Sequence, residues 1–198
     1  MTDGPKEMLY PSRKGRHAFE IVETIGNVTL TILHNNLLDE TESTLWKSDW
    51  HNHSLCEIVV LYSGDEHILF ENQTFIVMNS HDICIIPRGL SHFCSPVGDR
   101  QKRISLLVSV TPQKPMTGQI SRSDSLLLHI LSELIDKRDT PILLKGQSGI
   151  FSNINAVFTA LRSGDPLTNI IVKHQMILFV LQCFSAVFRQ SSDYLPST

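Results

Sequence analysis

At 198 residues, the chain can hold one full domain and a smaller second unit. Its 41% hydrophobic and 19% charged content is that of an ordinary globular protein. A net charge of −3 excludes an electrostatic grip on nucleic acid or an anionic membrane by this chain itself.

In chain order, residues 1–16 are polar and read as a flexible arm with no apolar run that could serve as a signal sequence. Arg13-Lys14-Gly15-Arg16 is the only basic cluster, and such short runs are usually solvated. From residue 17 to 112, short runs rich in β-branched and aromatic residues alternate with turn signals, the pattern of an all-β sandwich or barrel. The predicted strands are Phe19–Thr24, Val28–Leu33, Cys56–Tyr62, His67–Glu71, Thr74–Met78, Ile83–Ile86 and Arg103–Val110. Gly26-Asn27, Gly64-Asp65, Glu71-Asn72-Gln73 and Asn79-Ser80 supply the turns between them.

Pro112 and Pro115 close this region, because proline cannot donate to a strand ladder. The pattern then turns helical over residues 121–190. A first helix is predicted over Asp124–Arg138, with Leu127, Ile130, Leu131, Leu134 and Ile135 on one stripe. A second covers Ser148–Arg162. Ser163-Gly164-Asp165-Pro166 then supplies a C-terminal glycine, an N-cap and a first-turn proline for a third helix, Leu167–Arg189. That helix is apolar on nearly every side, so one face is expected on the rest of the domain and the other against a second subunit in a homodimer. Lys173, His174, Gln175 and Gln182 interrupt it, which argues against a membrane span.

The chemistry gathers in His51-Asn52-His53-Ser54-Leu55-Cys56-Glu57. His51, His53 and Glu57 share parity, so an extended chain aims two imidazoles and a carboxylate to one face, with Cys56, Ile58 and Val60 on the other. Further on, Ile85-Ile86-Pro87-Arg88-Gly89-Leu90-Ser91-His92 runs from a strand through a proline-glycine turn to a third histidine. If the two stretches lie side by side, three imidazoles and a carboxylate meet, a donor set suited to Mn, Fe, Ni or Zn. The same four residues could instead hydrogen-bond to one another, to water or to an organic ligand. Cys94 shares parity with His92 and is a candidate pocket residue, though a buried inert thiol is the commoner outcome. Arg103 could clamp an anionic or hydroxylated ligand. Trp46 and Trp50 could stack on a ring or pack in the core. The four cysteines, Cys56, Cys84, Cys94 and Cys183, form no C-x-x-C pair and suit a reducing, cytoplasmic setting better than a disulfide framework.

His51, His53, Glu57 and Gly64, in the order H-x-H-x3-E-x6-G, resemble the first motif of the cupin family. Pro87, Gly89 and His92, as P-x-G-x2-H, resemble the second. Leu45 and His81 stand where the motifs open on glycine, and Pro96 where the second closes on asparagine. The resemblance implies a mainly β fold, a cupin jelly-roll barrel, with a divalent transition metal on His51, His53, Glu57 and His92 and no organic cofactor. A cupin followed by helices is similar to the N-terminal half of AraC-type transcription regulators. That similarity implies a small effector such as a sugar bound near His51, His53, Glu57, His92, Cys94, Arg103 and Trp50. It also implies dimerisation through the helices, DNA contact only through a helix-turn-helix half absent from this sequence, and no catalysis. A stand-alone metal-dependent cupin enzyme, a dioxygenase or sugar isomerase, is the other reading.

Overall fold

A computed structural model describes residues 10–12, 16–38, 48–113, 122–164 and 166–192. Trp46 and Leu45 lie outside these residues. Eight strands form: β1 (Tyr10–Ser12), β2 (Arg16–Ile25), β3 (Val28–Leu38), β4 (Cys56–Phe70), β5 (Phe75–Met78), β6 (Asp82–Ile86), β7 (His92–Pro112) and β8 (Ile142–Leu144). They pair antiparallel in the order β1-β2-β3-β7-β4-β6-β8, with β5 added on β4. The helices are α1 (Arg122–His129), α2 (Phe151–Ser163) and α3 (Thr168–Ser192). The chain is thus mostly antiparallel β with a few helices. Within the expected arm, Tyr10, Pro11 and Ser12 pair with Ala18, His17 and Arg16.

β4 explains the architecture. Its alternate residues face two separate apolar clusters, so it reads as an unbroken hydrophobic run instead of an alternating one. Ile58 and Val60 join Ile83, Ile85, Ile104, Leu106 and Val108 in the cluster that the helices cover with Ile154, Val157, Phe179, Val180 and Phe184. Val59 and Leu61 join Ile68, Phe70, Ile76, Met78, Cys84, Ile86 and Cys94 in the second cluster. The sequence reading broke this strand at Gly64-Asp65. The structure instead runs β4 straight through, with register shifts against β7 between Leu61 and Ser63, where β4 carries one extra residue, and between Ser63 and Asp65, where Gly64 takes a positive φ of 88°. One residue inserted into a ladder reverses parity, and this is why Val59 and Leu61 (odd) share a face with Ile68 and Phe70 (even). A turn signal and a bulge signal are the same glycine; only the partner strand distinguishes them.

Three other expectations change. β7 starts at His92, well before the predicted Arg103, because its first half pairs with the second half of β4, Phe70 opposite His92 and Asp65 opposite Val97. Ile142–Leu144 was not read as a strand, yet it pairs with Ile83, Cys84 and Ile85 of β6. The first helix does not run evenly to Arg138. It passes at Ile130–Ile135 into a wider π-helical turn, in which the Asp136 N–H donates to the Leu131 carbonyl, five residues back, at 2.8 Å.

α2 ends where expected, at Gly164 in the left-handed conformation with φ 64°. α3 is long and apolar enough to cross a membrane by composition, with 44% of that window buried within the protein. Val172, Met176, Phe179, Val180, Cys183, Phe184 and Val187 are its buried face, whereas Ile170, Leu178 and Phe188 remain exposed on the opposite one. Lys173 ties α3 to β2 through Glu23 at 2.7 Å.

Candidate metal centre

β4 begins only at Cys56, so His51 and His53 do not sit on the extended strand that the parity argument assumed. They are placed by other means. His51 forms an isolated bridge with His92: its N–H donates to the His92 carbonyl at 3.1 Å, and the His92 N–H donates back at 2.9 Å. The Gly89 N–H donates to the His53 carbonyl at 2.8 Å. Gly89 has a φ of 77°, a conformation that costs about 1–2 kcal/mol with any Cβ. The proline-glycine turn therefore does more than join two strands: it holds the backbone of His53. Glu57 then projects from the first turn of the β4 ladder, flanked by Ile86 and Leu107.

The four side chains converge. One donor atom from each of His51, His53, Glu57 and His92 lies within 4.8 Å of every other. The His53 and His92 Nε2 atoms stand 3.3 Å and 3.0 Å from Glu57 Oε2, and the His51 and His92 rings are 4.3 Å apart. Glu57 and His92 are buried, at 2% and 0% exposure.

The tautomers follow from the backbone. His51 Nδ1 lies 2.7 Å from the Asp49 carbonyl and His92 Nδ1 3.0 Å from the Leu90 carbonyl. A carbonyl only accepts, so each Nδ1 carries the proton and each Nε2 presents a lone pair. Glu57 Oε2 and His92 Nε2 are both buried and without a hydrogen-bond partner, despite their 3.0 Å separation. Lone pairs aimed at one another in a buried site are unfavourable until a cation lies among them. Donors about 2.1 Å from a tetrahedrally held ion would lie about 3.4 Å apart, close to the 3.3 Å and 3.0 Å that separate Glu57 Oε2 from His53 and His92. Burial works against the charged form of Glu57, but in the ion-free cluster hydrogen bonding from the His53 and His92 rings, where these donate to it instead of ligating a metal, together with Arg103 outweighs burial and holds the carboxyl well below its usual range. Burial, with His92 nearby, pushes His51 down, so its ring is neutral and able to ligate. The residues therefore fit a divalent transition metal of the Mn, Fe, Ni or Zn kind.

Behind this cluster lies a second polar layer that the sequence reading caught only in part. Arg103 was read as a clamp for an outside ligand. The structure engages its guanidinium with two carboxylates of the protein, Glu57 Oε1 at 3.6 Å and Glu66 Oε2 at 3.4 Å. Its Nη2 also donates to Cys94 Sγ at 3.5 Å. Cys94 does face this interior and is buried; desolvation pushes its thiol up to about 12, so it stays protonated. Trp50 does not join the four. It is 52% exposed and lies against Phe93, the outward neighbour of His92, with ring centroids 6.1 Å apart. Glu66 and Ser105 were missed. Glu66 is wholly buried, and burial raises its pKa against the pull of Arg103. Ser105 Oγ donates to Glu57 Oε1. Parity does not reveal Arg103 or Ser105, which lie on the face opposite the apolar Ile104, Leu106 and Val108, where polar residues are ordinary; only Glu66, in step with the buried Ile68 and Phe70, breaks an apolar pattern.

No family model and no curated protein matches this sequence. Among solved structures, the chain is similar to a cupin-2 domain containing protein from Shewanella frigidimarina, at 17% identity over 48% of this chain and 79% of that one, with a TM-score of 0.29. It is similar to KdgF from Halomonas sp., at 12% identity over 55% and 89%, with a TM-score of 0.32. A third is the DMSP lyase DddQ from Ruegeria pomeroyi, at 13% identity over 48% and 47%, with a TM-score of 0.30. Overlap this partial leaves the chain's own residues to carry the functional argument.

Proposed function

We propose that this chain is a cupin jelly roll serving as the sensing and dimerisation domain of an AraC-type transcription regulator. It takes a small polar effector, a sugar or related metabolite, at a metal held by His51, His53, Glu57 and His92. The observation that carries the reading is the convergence of four buried or half-buried donors, with backbone carbonyls fixing the tautomers of His51 and His92 so that their Nε2 lone pairs are free. A bound divalent metal would supply a Lewis acid for the hydroxyl or carboxylate oxygens of a ligand. The protein's own residues fix the pocket: the Asp49 and Leu90 carbonyls orient His51 and His92, and Glu57 supplies the compensating negative charge.

Two contacts give the site a path to the helices. The turn that holds His53 through Gly89 also carries Arg88, whose Nε lies 3.6 Å from Asp136 Oδ2 just beyond the π-helical turn. In the next loop, the Asn72 amide donates to the Asp139 carbonyl. A ligand that favours one arrangement of this turn shifts the helices by its differential affinity for the two arrangements. The exposed stripe of α3 is the surface on which a second copy would dock, in a cytoplasmic homodimer with DNA read by a further helix-turn-helix unit. The same donor set supports a second reading, a metal-dependent dioxygenase or isomerase.

Metal analysis of the purified protein beside His92→Ala tests the centre, and thermal shift across a panel of sugars tests the sensor. Near-stoichiometric metal in the wild type alone, with a melting shift from a ligand that is recovered unchanged, is expected. Equal metal in both proteins refutes the centre, and turnover of the bound compound replaces the sensor with the enzyme.

A further inference from the structure

The two oxygens of Glu57 are treated unequally. Oε2 faces His53 and His92 and has no hydrogen-bond partner. Oε1 points the other way, accepts from Ser105 Oγ and lies 3.6 Å from Arg103 Nη2. Arg103 is itself held on its other side by Glu66, 3.4 Å from its Nε and wholly buried. Resting on the metal centre above, we propose that Ser105 is a positioning residue. With Arg103 and Glu66 behind it, it holds Glu57 as a one-oxygen ligand and so keeps a coordination position open for an incoming oxygen-donor anion.

The physical reason is that a carboxylate can bind an ion through one oxygen or both. A free Glu57 could swing Oε1 toward the imidazoles and cap the ion. Withdrawing Oε1 into a charge-assisted hydrogen bond makes that swing costly, since Arg103 would lose one of its two carboxylates in a buried site. Ser105 is anchored in turn: its own carbonyl accepts from His34 Nδ1 at 2.6 Å, and its strand pairs with β4 at Val59.

The test loads the full chain with Co(II) and titrates azide, a small anion that occupies one coordination position through a terminal nitrogen, in wild type, Ser105→Ala and Ser105→Thr. Expected in Ser105→Ala are a Co(II) affinity lowered about tenfold, as for other residues that orient a ligand, an altered visible cobalt spectrum, and azide affinity lowered at least tenfold. Ser105→Thr, which keeps the hydroxyl, restores all three. If Ser105→Ala fails to fold, Ser105→Val, suited to a strand interior, makes the same comparison. Unchanged spectrum and azide affinity in the hydroxyl-less variant overturn the proposal while leaving the metal centre intact. A wild type that binds no Co(II) overturns the metal centre itself.

Discussion

Replacing Arg103 with methionine isolates what the inner charge layer contributes to the fold. The two side chains are of similar length, but the variant leaves Glu57 and Glu66, 3% and 0% exposed at the side chain, without the cation between them. At about 3.5 Å and an effective dielectric of about 20, each contact is worth about 4–5 kcal/mol of Coulomb energy before desolvation. After desolvation, removing one partner of such a buried group costs about 3–5 kcal/mol. For a chain of this size, that lowers the melting temperature by about 6–20 °C. The assay is urea and thermal denaturation in EDTA at pH 8, for wild type, Arg103→Met, Glu66→Gln and the double variant. Removing the second buried charge should return at least half of the loss, so the double variant is more stable than Arg103→Met alone. Burial already raises the Glu66 pKa, and loss of Arg103 raises it further. Its proton then goes on at higher pH, and the penalty in Arg103→Met shrinks as pH falls from 8 toward 5. An Arg103→Met protein within about 1 kcal/mol of wild type, or a double variant no better than the single, refutes this account of the layer.

Glu57 has a folded pKa below its unfolded value of about 4.3, so its contribution is present above that value and is lost as pH falls through the folded pKa. The stability gap between metal-free wild type and Glu57→Gln should therefore narrow between pH 6 and pH 3; a gap that widens in acid is incompatible with the assigned partners. The four cysteines are free and buried, and desolvation raises every one of their pKa values. A thiol reagent should label none of them within minutes under native conditions and all four in denaturant; fast native labelling of even one contradicts the packing. Leu178→Lys places a charge on the exposed side of α3, 47% accessible in the monomer. It should leave the stability of the monomer within about 1 kcal/mol of wild type and abolish the proposed dimer in sedimentation; a wild type that sediments as a monomer refutes the dimer, and a dimer unaffected by the variant moves the interface elsewhere. Phe179→Ala, at a fully buried position of the same helix, should cost about 3–5 kcal/mol, and a loss below 1 kcal/mol would mean the helix does not pack on the sheet as described.

Sequence alone determined much of this protein. Composition and turn spacing marked the β half and the helical half, and Gly164 ended α2 where the structure has it, whereas Asp165 lies outside the described residues and α3 begins at Thr168, two residues after Pro166. The order of His51, His53, Glu57 and His92 singled out the donor set, because few side chains offer lone pairs and an apolar stretch has little other reason to be flanked by them. Tertiary structure decided what each local signal meant. Gly64 reads as a turn until β7 is seen beside it, when it becomes part of the irregular stretch from Leu61 to Asp65 in which β4 changes parity. His81 takes a positive φ of 70°, a conformation that favours glycine, and nothing in the local sequence announces it. Ile142–Leu144 is too short to signal a strand and is one only because β6 offers an edge. Above all, the roles of Arg103, Glu66 and Ser105 were illegible. Arg103 and Ser105 on β7 and Glu66 on β4 are ordinary polar residues locally, and strand pairing brings Arg103 to Glu66 and Ser105 to Glu57 across 37 and 48 residues of chain. A donor's chemistry is written in its side chain, but whether a polar neighbour points outward to solvent or inward to hold that donor depends on pairing and burial, which no local stretch of sequence contains.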